Sequence, residues 1–450
     1  MRHELNMSDD VVIVGGARTP FCEWVGGKRG DGKAGGALKT VSAQDLGATA
    51  IQGALEKTGT SPESVDHVVM GYALQTCSQS IYGARHAGLK AGVPQEVPML
   101  TLSRICGSGI QSIVSGAQMI MLGEASTVVA GGMENLSQAP HILRGARDGW
   151  KLGRSPKVED YMMTNLQDMT CGLFMAQTSD ELCRRKGVTR EEIDAFAALS
   201  HARTSTSIDT GLFKDEIVPV TIKSRRGETV LTHEDEDHVV RGTTEESLAT
   251  LPTAFGPESF VTAGNASGVV DGAAAVVIKS ASQAKGDGDK PLARIVSWGI
   301  VGLEPAIMAY GPVPSSRQAL ERAGLTVGDI DRWEINEAFA GQAVACIKDL
   351  DLDVEKVNVN GGPLAWDTPW RRRARVWCLR WRTNCIVAAV ATGSQRPASA
   401  VDKALRWSLK PSCDDGNNVK DVANEDHGDH RHEDVHDVLL GDVFNAVRGS

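Results

Sequence analysis

Short apolar segments alternate with amphipathic helical patterns in the first part of the chain, and this alternation restricts the fold more than any other feature. Residues 11–14, 65–70 and 127–130 have the composition of buried strands. Residues 42–57 and 110–122 carry apolar side chains at helical spacing. Strands and helices of these lengths in alternation predict an α/β fold with a largely buried sheet.

The same order of elements returns in the second part of the chain. Residues 273–278, 293–299 and 331–335 are predicted strands, and residues 315–323 and 336–350 are predicted helices. The repeated strand-then-helix order predicts two similar α/β halves.

Residues 139–241 differ from both halves, because Met, Asp, Arg and Thr dominate and a helical pattern covers residues 178–203. We predict an excursion from the core that faces a ligand. The predicted organisation is a first half of residues 1–138 and 242–285, a loop domain of residues 139–241, a second half of residues 286–362, and a segment of different character, residues 363–450.

The first predicted strand ends in Gly15-Gly16, and a strand followed by glycines is typical of dinucleotide-binding folds. The third glycine of that pattern is missing, and Pro20 stands where a helix should be starting. We therefore predict a core strand that leaves through a turn. A nicotinamide-dependent oxidoreductase remains the alternative, and nicotinamide binding would select it.

Composition excludes two further classes of protein. The chain has 450 residues and a formal charge of −10, which argues against nucleic-acid binding because phosphate neutralisation needs a basic face. The sequence has no run of 18 or more apolar residues, so no membrane span is predicted. The start of the chain has no apolar signal core, so we expect a cytoplasmic protein. Its nine scattered cysteines are then predicted to be thiols.

Cys106 is the candidate nucleophile. It lies where a predicted strand runs into a predicted helix, and Gly107 and Gly109 allow a tight turn that leaves the thiol uncovered. A cysteine at a helix N-terminus is close to the positive end of the helix dipole, which favours the thiolate. A buried structural cysteine is the alternative, and the strand–CGSG–helix context favours the nucleophile.

Five ordered segments resemble the thiolases. They are SRICGSGIQSIVSGAQMI at 103–120, GGMENLSQAPH at 131–141, VTAGNASGVVDGAAAVV at 261–277, WEINEAFAGQA at 333–343 and NVNGG at 358–362. The resemblance implies two α/β halves stacked in five layers, with the loop domain covering the active site.

The resemblance also implies roles for individual residues. Cys106 would take the acyl group. Asn336 would hold a water that helps to bind the thioester oxygen, with Glu337 as polar support beside it. From the residues alone, Asn336 and Glu337 fit equally well as a helix N-cap and a first-turn acid.

Four further residues would bind coenzyme A according to the resemblance. Ser267 would contact its arm, Met175 and Leu166 would line the pantetheine tunnel, and Arg241 would approach the nucleotide end. Without the family, Met175 and Leu166 would be core residues, and Arg241 would be a solvated loop charge.

The implied reaction is acyl-CoA + acetyl-CoA = CoA + 3-oxoacyl-CoA, through an acyl-cysteine. Coenzyme A thioesters are its substrates, and it needs neither a metal nor a nicotinamide cofactor. The resemblance further implies a homodimer or homotetramer.

The chain departs from the family after NVNGG. The family continues with a Gly-His-Pro loop, whose histidine activates the nucleophile, and ends near a Cys-x-Gly-Gly-Gly loop, whose cysteine moves the proton at the substrate α-carbon. Neither loop follows here. No histidine lies between His238 and His427, and no Cys-x-Gly-Gly-Gly sequence follows Gly362. The segment after Gly362 is instead rich in tryptophan and arginine, in a pattern typical of neither a core strand nor a protein surface.

A single frameshift between about Gly362 and Trp366 explains the departure. In one alternative frame, codons for Trp366 to Trp370 can encode Gly-His-Pro-Val, and codons for Pro397 to Leu405 can encode Cys-Ile-Gly-Gly-Gly-Gln-Gly-Ile. Both missing motifs return in order in the same frame.

The tail beyond Lys410 would then be run-on translation. Its HGDHRHEDVH segment holds His427, His430, His432 and His436, which suit zinc or nickel. The spacing matches no standard site, and composition favours a disordered acidic run-on. Because the family's histidine and second cysteine are missing, this chain is expected to be a poor catalyst. The alternative is an inactive thiolase-like protein that binds acyl-CoA.

The frameshift is tested by sequencing the genomic DNA. We expect the alternative frame downstream of codon 362 to contain both motifs, with one inserted or deleted base near Trp366. A gene that reads Trp366 to Lys410 in frame, with neither motif in the other frame, would refute it.

Overall fold

The computed structural model describes residues 9–23, 36–153, 155–223, 226, 229–234 and 242–362. All of them belong to the first of the two units into which the chain divides, Met1–Arg396. Arg241, the proposed frameshift and the histidine-rich tail lie outside the described residues.

The predicted alternation of strands and helices is present in the first part of the chain. In order, the elements are β1 (Val11–Arg18), β2 (Cys22–Glu23), α1 (Ala43–Thr58), β3 (His67–Gly71), α2 (Gly83–Lys90), β4 (Met99–Leu102), α3 (Ser108–Met121) and β5 (Thr127–Glu134). The turn predicted at Gly15-Gly16 is wrong, because β1 continues through both glycines and pairs with a later strand along its length.

The middle and second parts contribute the remaining elements. They are β6 (His141–Leu143), β7 (Val158–Asp160), α4 (Tyr161–Asn165), α5 (Met175–Lys186), α6 (Arg190–Asp209), β8 (Val220–Lys223), β9 (Thr229–His233), α7 (Glu245–Ala249), β10 (Val270–Ser280), α8 (Ala281–Gly286), β11 (Ala293–Arg294), α9 (Pro312–Ala323) and α10 (Ala340–Asp349). The helical pattern over residues 178–203 forms two helices, which Gly187 separates in the left-handed conformation at φ 64°.

The largest sheet in the described residues has seven strands. Its order is β11-β1-β10-β5-β3-β4, with β2 also paired to β10. β3 runs parallel to β4 and β5, whereas β10 is antiparallel to β1 and β5, so the sheet is mixed.

Helices cover both faces of this sheet. Along β10, Ala273, Ala275 and Val277 pack into a core with α1 and α2. The intervening Ala274, Val276 and Ile278 pack into a second core with α3. Because successive strand side chains point to opposite faces, a strand buried on both faces is apolar throughout, as the sequence of β10 is.

A separate core forms in the second part of the chain. It combines side chains from α5 and α6 with side chains from α9, α10 and the segment 330–357, for example Leu182, Ile193, Val313 and Trp333. The helical portion of residues 139–241 therefore packs with the second part of the chain.

The strands predicted at 293–299 and 331–335 are only partly formed. β11 ends at Arg294, but alternate burial continues through Ile295, Ser297 and Gly299, as in a strand with one covered face. Trp333 makes a single parallel bridge to Val357. Within the described part of the chain, these segments have strand-like burial but lack a paired neighbour along most of their length.

His201 links α6 to the loop at residues 260–268. Its side chain is 6% exposed, and Nε2 lies 3.3 Å from the carbonyl oxygen of Gly264. Since a carbonyl only accepts, Nε2 carries the proton, and Nδ1 is buried without a hydrogen-bond partner. Burial lowers the pKa of this imidazole, because the charged form would lose its hydration.

This burial predicts a pH dependence of stability. The unfolded chain protonates His201 near pH 6.5 and the folded chain only at lower pH, so the unfolded state binds more protons in between. The contribution of His201 to the free energy of unfolding is therefore expected to fall as the pH drops below about 6.5. Urea titrations of the wild type and His201→Gln at several pH values measure it.

The variant should lose stability less steeply on acidification than the wild type, because glutamine can donate to Gly264 without titrating. His141→Gln, which removes an exposed histidine from β6, is the matched control. Identical slopes for the wild type and His201→Gln would contradict the prediction.

Candidate functional site

Cys106 lies between the end of β4 and the start of α3, is half-buried and forms no disulfide. Gly107 is the N-cap of α3, so the cysteine stands one residue ahead of the cap. The amide of Gly107 donates to the carbonyl of Arg104 at 2.8 Å, which closes a tight turn around the cysteine. The predicted location at a strand-to-helix junction is confirmed, and the role of nucleophile stays a prediction.

The turn is strained at the residue before the cysteine. Ile105 has φ 47°, a left-handed conformation that is costly for a β-branched side chain. Ser108 holds this conformation, since its hydroxyl donates to the carbonyl of Ile105 at 2.5 Å and accepts from the amide of Arg104 at 2.9 Å. Strain of this kind persists only where neighbouring contacts determine the backbone.

The start of α3 is also fixed against the sheet. A β-carbon on Gly71, at the end of β3, would lie 2.6 Å from the backbone carbon of Ser108, so only glycine fits this approach. One turn later, the hydroxyl of Ser112 donates to the carbonyl of Gly131 in β5 at 2.8 Å. Two strands of the central sheet therefore determine where Cys106 lies.

Asn336 and Glu337 lie in an extended segment ahead of α10. The helix begins at Ala340 with Phe339 as its N-cap, so the alternative that Asn336 caps this helix is wrong. The physical reason is pairing with the loop around Ser267. The amide of Ser267 donates to the carbonyl of Ala338 at 3.1 Å, and the amide of Ala340 donates to the carbonyl of Asn265 at 2.9 Å.

Glu337 is completely buried and hydrogen-bonded on both carboxylate oxygens. Ser200 donates to Oε2 at 2.7 Å, and the side-chain amide of Asn358 donates to Oε1 at 2.6 Å. A buried carboxylate needs such donors, because it has lost its hydration. The neighbouring Asn336 is 8% exposed.

Asn265 organises the loop that carries Ser267. Its side-chain oxygen accepts from the amide of Thr262 at 2.7 Å. Its side-chain nitrogen donates to Asp194 of α6 and to the carbonyl of Phe260, both at 3.0 Å. These bonds connect the loop to α6, and its backbone pairing with residues 338–340 holds it against the segment of Asn336.

Met175 and Leu166 lie side by side. The amide of Met175 donates to the carbonyl of Leu166 at 2.9 Å, and Gln167 and Phe174 form a bridge between the same two segments. Both side chains are half-buried, so neither belongs to the fully buried core. Their predicted contact with a pantetheine chain stays a prediction.

The structure thus brings the predicted residues together in two groups, Ser267 with Asn336 and Glu337, and Met175 with Leu166. Cys106 lies apart from both in sequence, on the junction described above. Three residues that support the site were not predicted, namely Ser200, Asn265 and Asn358. The last two lie inside segments that resemble the family, whereas Ser200 is one hydroxyl residue among several on α6 and gives no signal in the sequence.

The described residues contain neither a metal-binding cluster nor a membrane-spanning helix. No group of three or more His, Cys, Asp or Glu side chains among them is arranged to hold a metal ion. None of the helices in the described ranges is long and apolar enough to cross a membrane.

Comparison with known proteins identifies the family. Residues 11–282 match the thiolase N-terminal domain, and residues 289–372 match the thiolase C-terminal domain. The chain is 45% identical to the mitochondrial 3-ketoacyl-CoA thiolase of Homo sapiens over 359 residues, which are 80% of this chain and 87% of that protein. It is 44% identical to an acetyl-CoA acetyltransferase of Cupriavidus necator over 360 residues, which are 80% of this chain and 88% of that protein.

The solved structures agree with the sequence matches. The crystal structure of human mitochondrial 3-ketoacyl-CoA thiolase in complex with CoA is similar, with a TM-score of 0.74 and 44% identity over 80% of this chain and 87% of that one. The acetyl-CoA acetyltransferase of Bacillus anthracis also has a TM-score of 0.74, with 40% identity over 80% of this chain and 88% of that one. The predicted thiolase-like α/β fold is confirmed, and the chain belongs to the thiolase family of acyltransferases.

Proposed function

We propose that this chain takes an acyl group from acyl-CoA onto Cys106, as the first half of the reaction acyl-CoA + acetyl-CoA = CoA + 3-oxoacyl-CoA. The observation that carries the proposal is the position of Cys106 on a strained turn directly ahead of α3. A helix N-terminus favours the thiolate form of a cysteine placed there.

In the proposed reaction, the thiolate of Cys106 attacks the thioester carbon and forms a new C–S bond. The carbonyl electron pair moves onto oxygen, and its return expels the coenzyme A thiolate, which takes up a proton. In the degradative direction, coenzyme A then removes the acyl group from Cys106. In the synthetic direction, the carbanion of acetyl-CoA does so. Coenzyme A thioesters are the substrates, and the scheme uses no further cofactor.

Asn336 is proposed to act on the developing oxyanion through a bound water. Such donors contribute most when they are fixed before the reaction begins. The pairing of residues 265–267 with 338–340 and the burial of Glu337 support this role, because both restrict the backbone around Asn336.

We propose that complete turnover is strongly reduced in this chain. The family's base and its second cysteine are missing from residues 363–450 as written, and neither family match extends beyond residue 372. Loss of one positioned proton-transfer group typically costs roughly 10²–10⁴-fold. Acylation of Cys106 would still proceed slowly, since it needs a thiolate and an acyl-CoA.

A second candidate is a protein that binds acyl-CoA without chemistry. It is favoured by the hydrogen-bonded loop at residues 260–268 and by the paired segments of Leu166 and Met175. The hydrogen bonds that form both features do not involve the missing motifs. Binding of coenzyme A without acylation of Cys106 would select it.

Mass spectrometry after incubation with acetyl-CoA tests the proposal. We expect an added acetyl group on the peptide that carries Cys106, because the helix terminus keeps part of this thiol in its reactive form. Cys106→Ser should abolish the acetylation. Cys171→Ser, which removes another half-buried cysteine outside any disulfide, should leave it unchanged and is the matched control.

The same experiment on a chain with the restored reading frame separates the remaining explanations. Rapid acetylation of the restored chain and none of this one would show that the missing motifs are needed even for the first step. Acetylation that persists in Cys106→Ser would contradict the assignment of the nucleophile.

We propose further that the protein is a homo-oligomer that assembles through β4. This strand is at one end of the sheet order in the described residues, and an edge strand can pair with the same strand of a second copy. Large apolar side chains around it are exposed, including Leu100 at 41%, Ile81 at 67%, Tyr82 at 58% and Ile105 at 59%. Exposed apolar surface of this kind is typical of an interface.

Analytical ultracentrifugation measures the assembly. The wild type should sediment as a dimer or a tetramer, and Leu100→Lys should shift it towards the monomer because a charge would be buried in the interface. Leu122→Lys places the same charge at a comparably exposed site at the end of α3 and should leave the assembly unchanged. A monomeric wild type would contradict the proposal.

A further inference from the structure

One hydroxyl on α6 joins two segments that are far apart in sequence. Ser200 is 3% exposed, and its Oγ donates to Oε2 of Glu337 at 2.7 Å. The same oxygen accepts from the backbone amide of Gly362 at 3.0 Å. Ser200 therefore bridges the segment of Asn336 and the loop at residues 358–362.

The contacts around Glu337 leave its side chain little freedom. Asn358 also donates to the carbonyl of Ile335 at 2.7 Å and accepts from its amide at 2.8 Å, so it binds the residues on both sides of Asn336. A β-carbon on Gly362 would lie 2.0 Å from the carboxylate of Glu337. The carboxylate is thus held tightly between α6 and the loop at 358–362.

Anchoring Ile335 and Glu337 restricts the backbone of Asn336 between them, because consecutive Cα atoms are separated by a constant distance of about 3.8 Å. An oxyanion donor must be held to within about 0.5 Å of its productive position, and its supporting contacts supply that precision. Asn336 has Ile335 anchored on one side and Glu337 on the other.

We propose that Ser200 is a positioning residue for acyl transfer. By holding Glu337 against the loop at 358–362, its hydroxyl sets where Asn336 lies relative to the thioester oxygen. The inference rests on the proposed function for the role of Asn336, and it adds a residue on a helix that does not itself carry the chemistry.

Ser207 offers a matched control on the same helix. Its hydroxyl donates to the carbonyl of Asn360 at 3.2 Å, so Ser207→Ala also removes one hydrogen bond between α6 and the same loop. Ser207 is 5% exposed, comparable to Ser200. Of these two serines, Ser200 donates to Glu337 and Ser207 to the loop backbone, so a general loss of contact with the loop and a specific effect on Glu337 can be separated.

The first experiment follows acetylation of Cys106 against acetyl-CoA concentration. For Ser200→Ala we expect a maximal rate about 10-fold below the wild type, with the half-saturating concentration of acetyl-CoA unchanged. The reason is that Asn336, which would stabilise mainly the transition state, would be displaced. Ser200→Thr keeps the hydroxyl and should recover most of the rate, and Ser207→Ala should stay within about twofold of the wild type. A rise in the half-saturating concentration alone, or equal effects of both alanine variants, would overturn the proposal.

The second experiment does not need the proposed function to hold. Hydrogen exchange should become faster for the amides of residues 335–340 in Ser200→Ala, whereas Ser207→Ala should affect residues 358–362 alone. If the wild type is not acetylated, the proposed function fails and this measurement still decides whether Ser200 holds the segment. Unchanged exchange at residues 335–340 in Ser200→Ala would refute the inference. Should that variant not fold, Ser200→Cys replaces it, because it keeps a similar volume and weakens both bonds.

Discussion

A carboxylate that is buried must be surrounded by donors, and in this protein that requirement is met at Glu337 by residues from two distant parts of the chain. Ser200 comes from α6 and Asn358 from the loop that precedes Gly362. Removing a single donor would leave the charge buried and under-compensated, which is costly. The segment of Asn336, the loop at 358–362 and α6 therefore depend on one another.

The nucleophile depends on a different kind of constraint. β10 is packed on both faces, and β5 beside it anchors α3 through Ser112. With β3 approaching the start of α3 at Gly71, the position of Cys106 follows from the packing of α3 on this sheet. Cys106 and the segment of Asn336 are thus supported differently, one by a sheet with paired strands and the other by a polar network between loops and a helix.

This difference bears on what the chain can do. The sheet that supports Cys106 lies wholly within residues 11–294, so it is independent of the segment that departs from the family. Away from that sheet, the pairing with β1 ends at Ile295, whose amide donates to the carbonyl of Val11 at 2.9 Å, while alternate burial continues through Ser297 and Gly299. Under the proposed function, acyl acceptance should be retained better than complete turnover, because acylation would lack the activating histidine alone, whereas the second step would also lack the cysteine that moves the α-proton.

The sequence alone determined the α/β class, the order of most elements and the junction that carries Cys106, because apolar periodicity and the CGSG turn are local signals. It also carried the family resemblance, on which Asn336, Glu337 and Ser267 were predicted. Tertiary structure decided where α10 begins, since pairing with the loop of Asn265 keeps residues 336–339 extended despite a helical pattern. It alone revealed Ser200, because a hydrogen bond between residues 137 positions apart leaves no periodic or local trace in the chain.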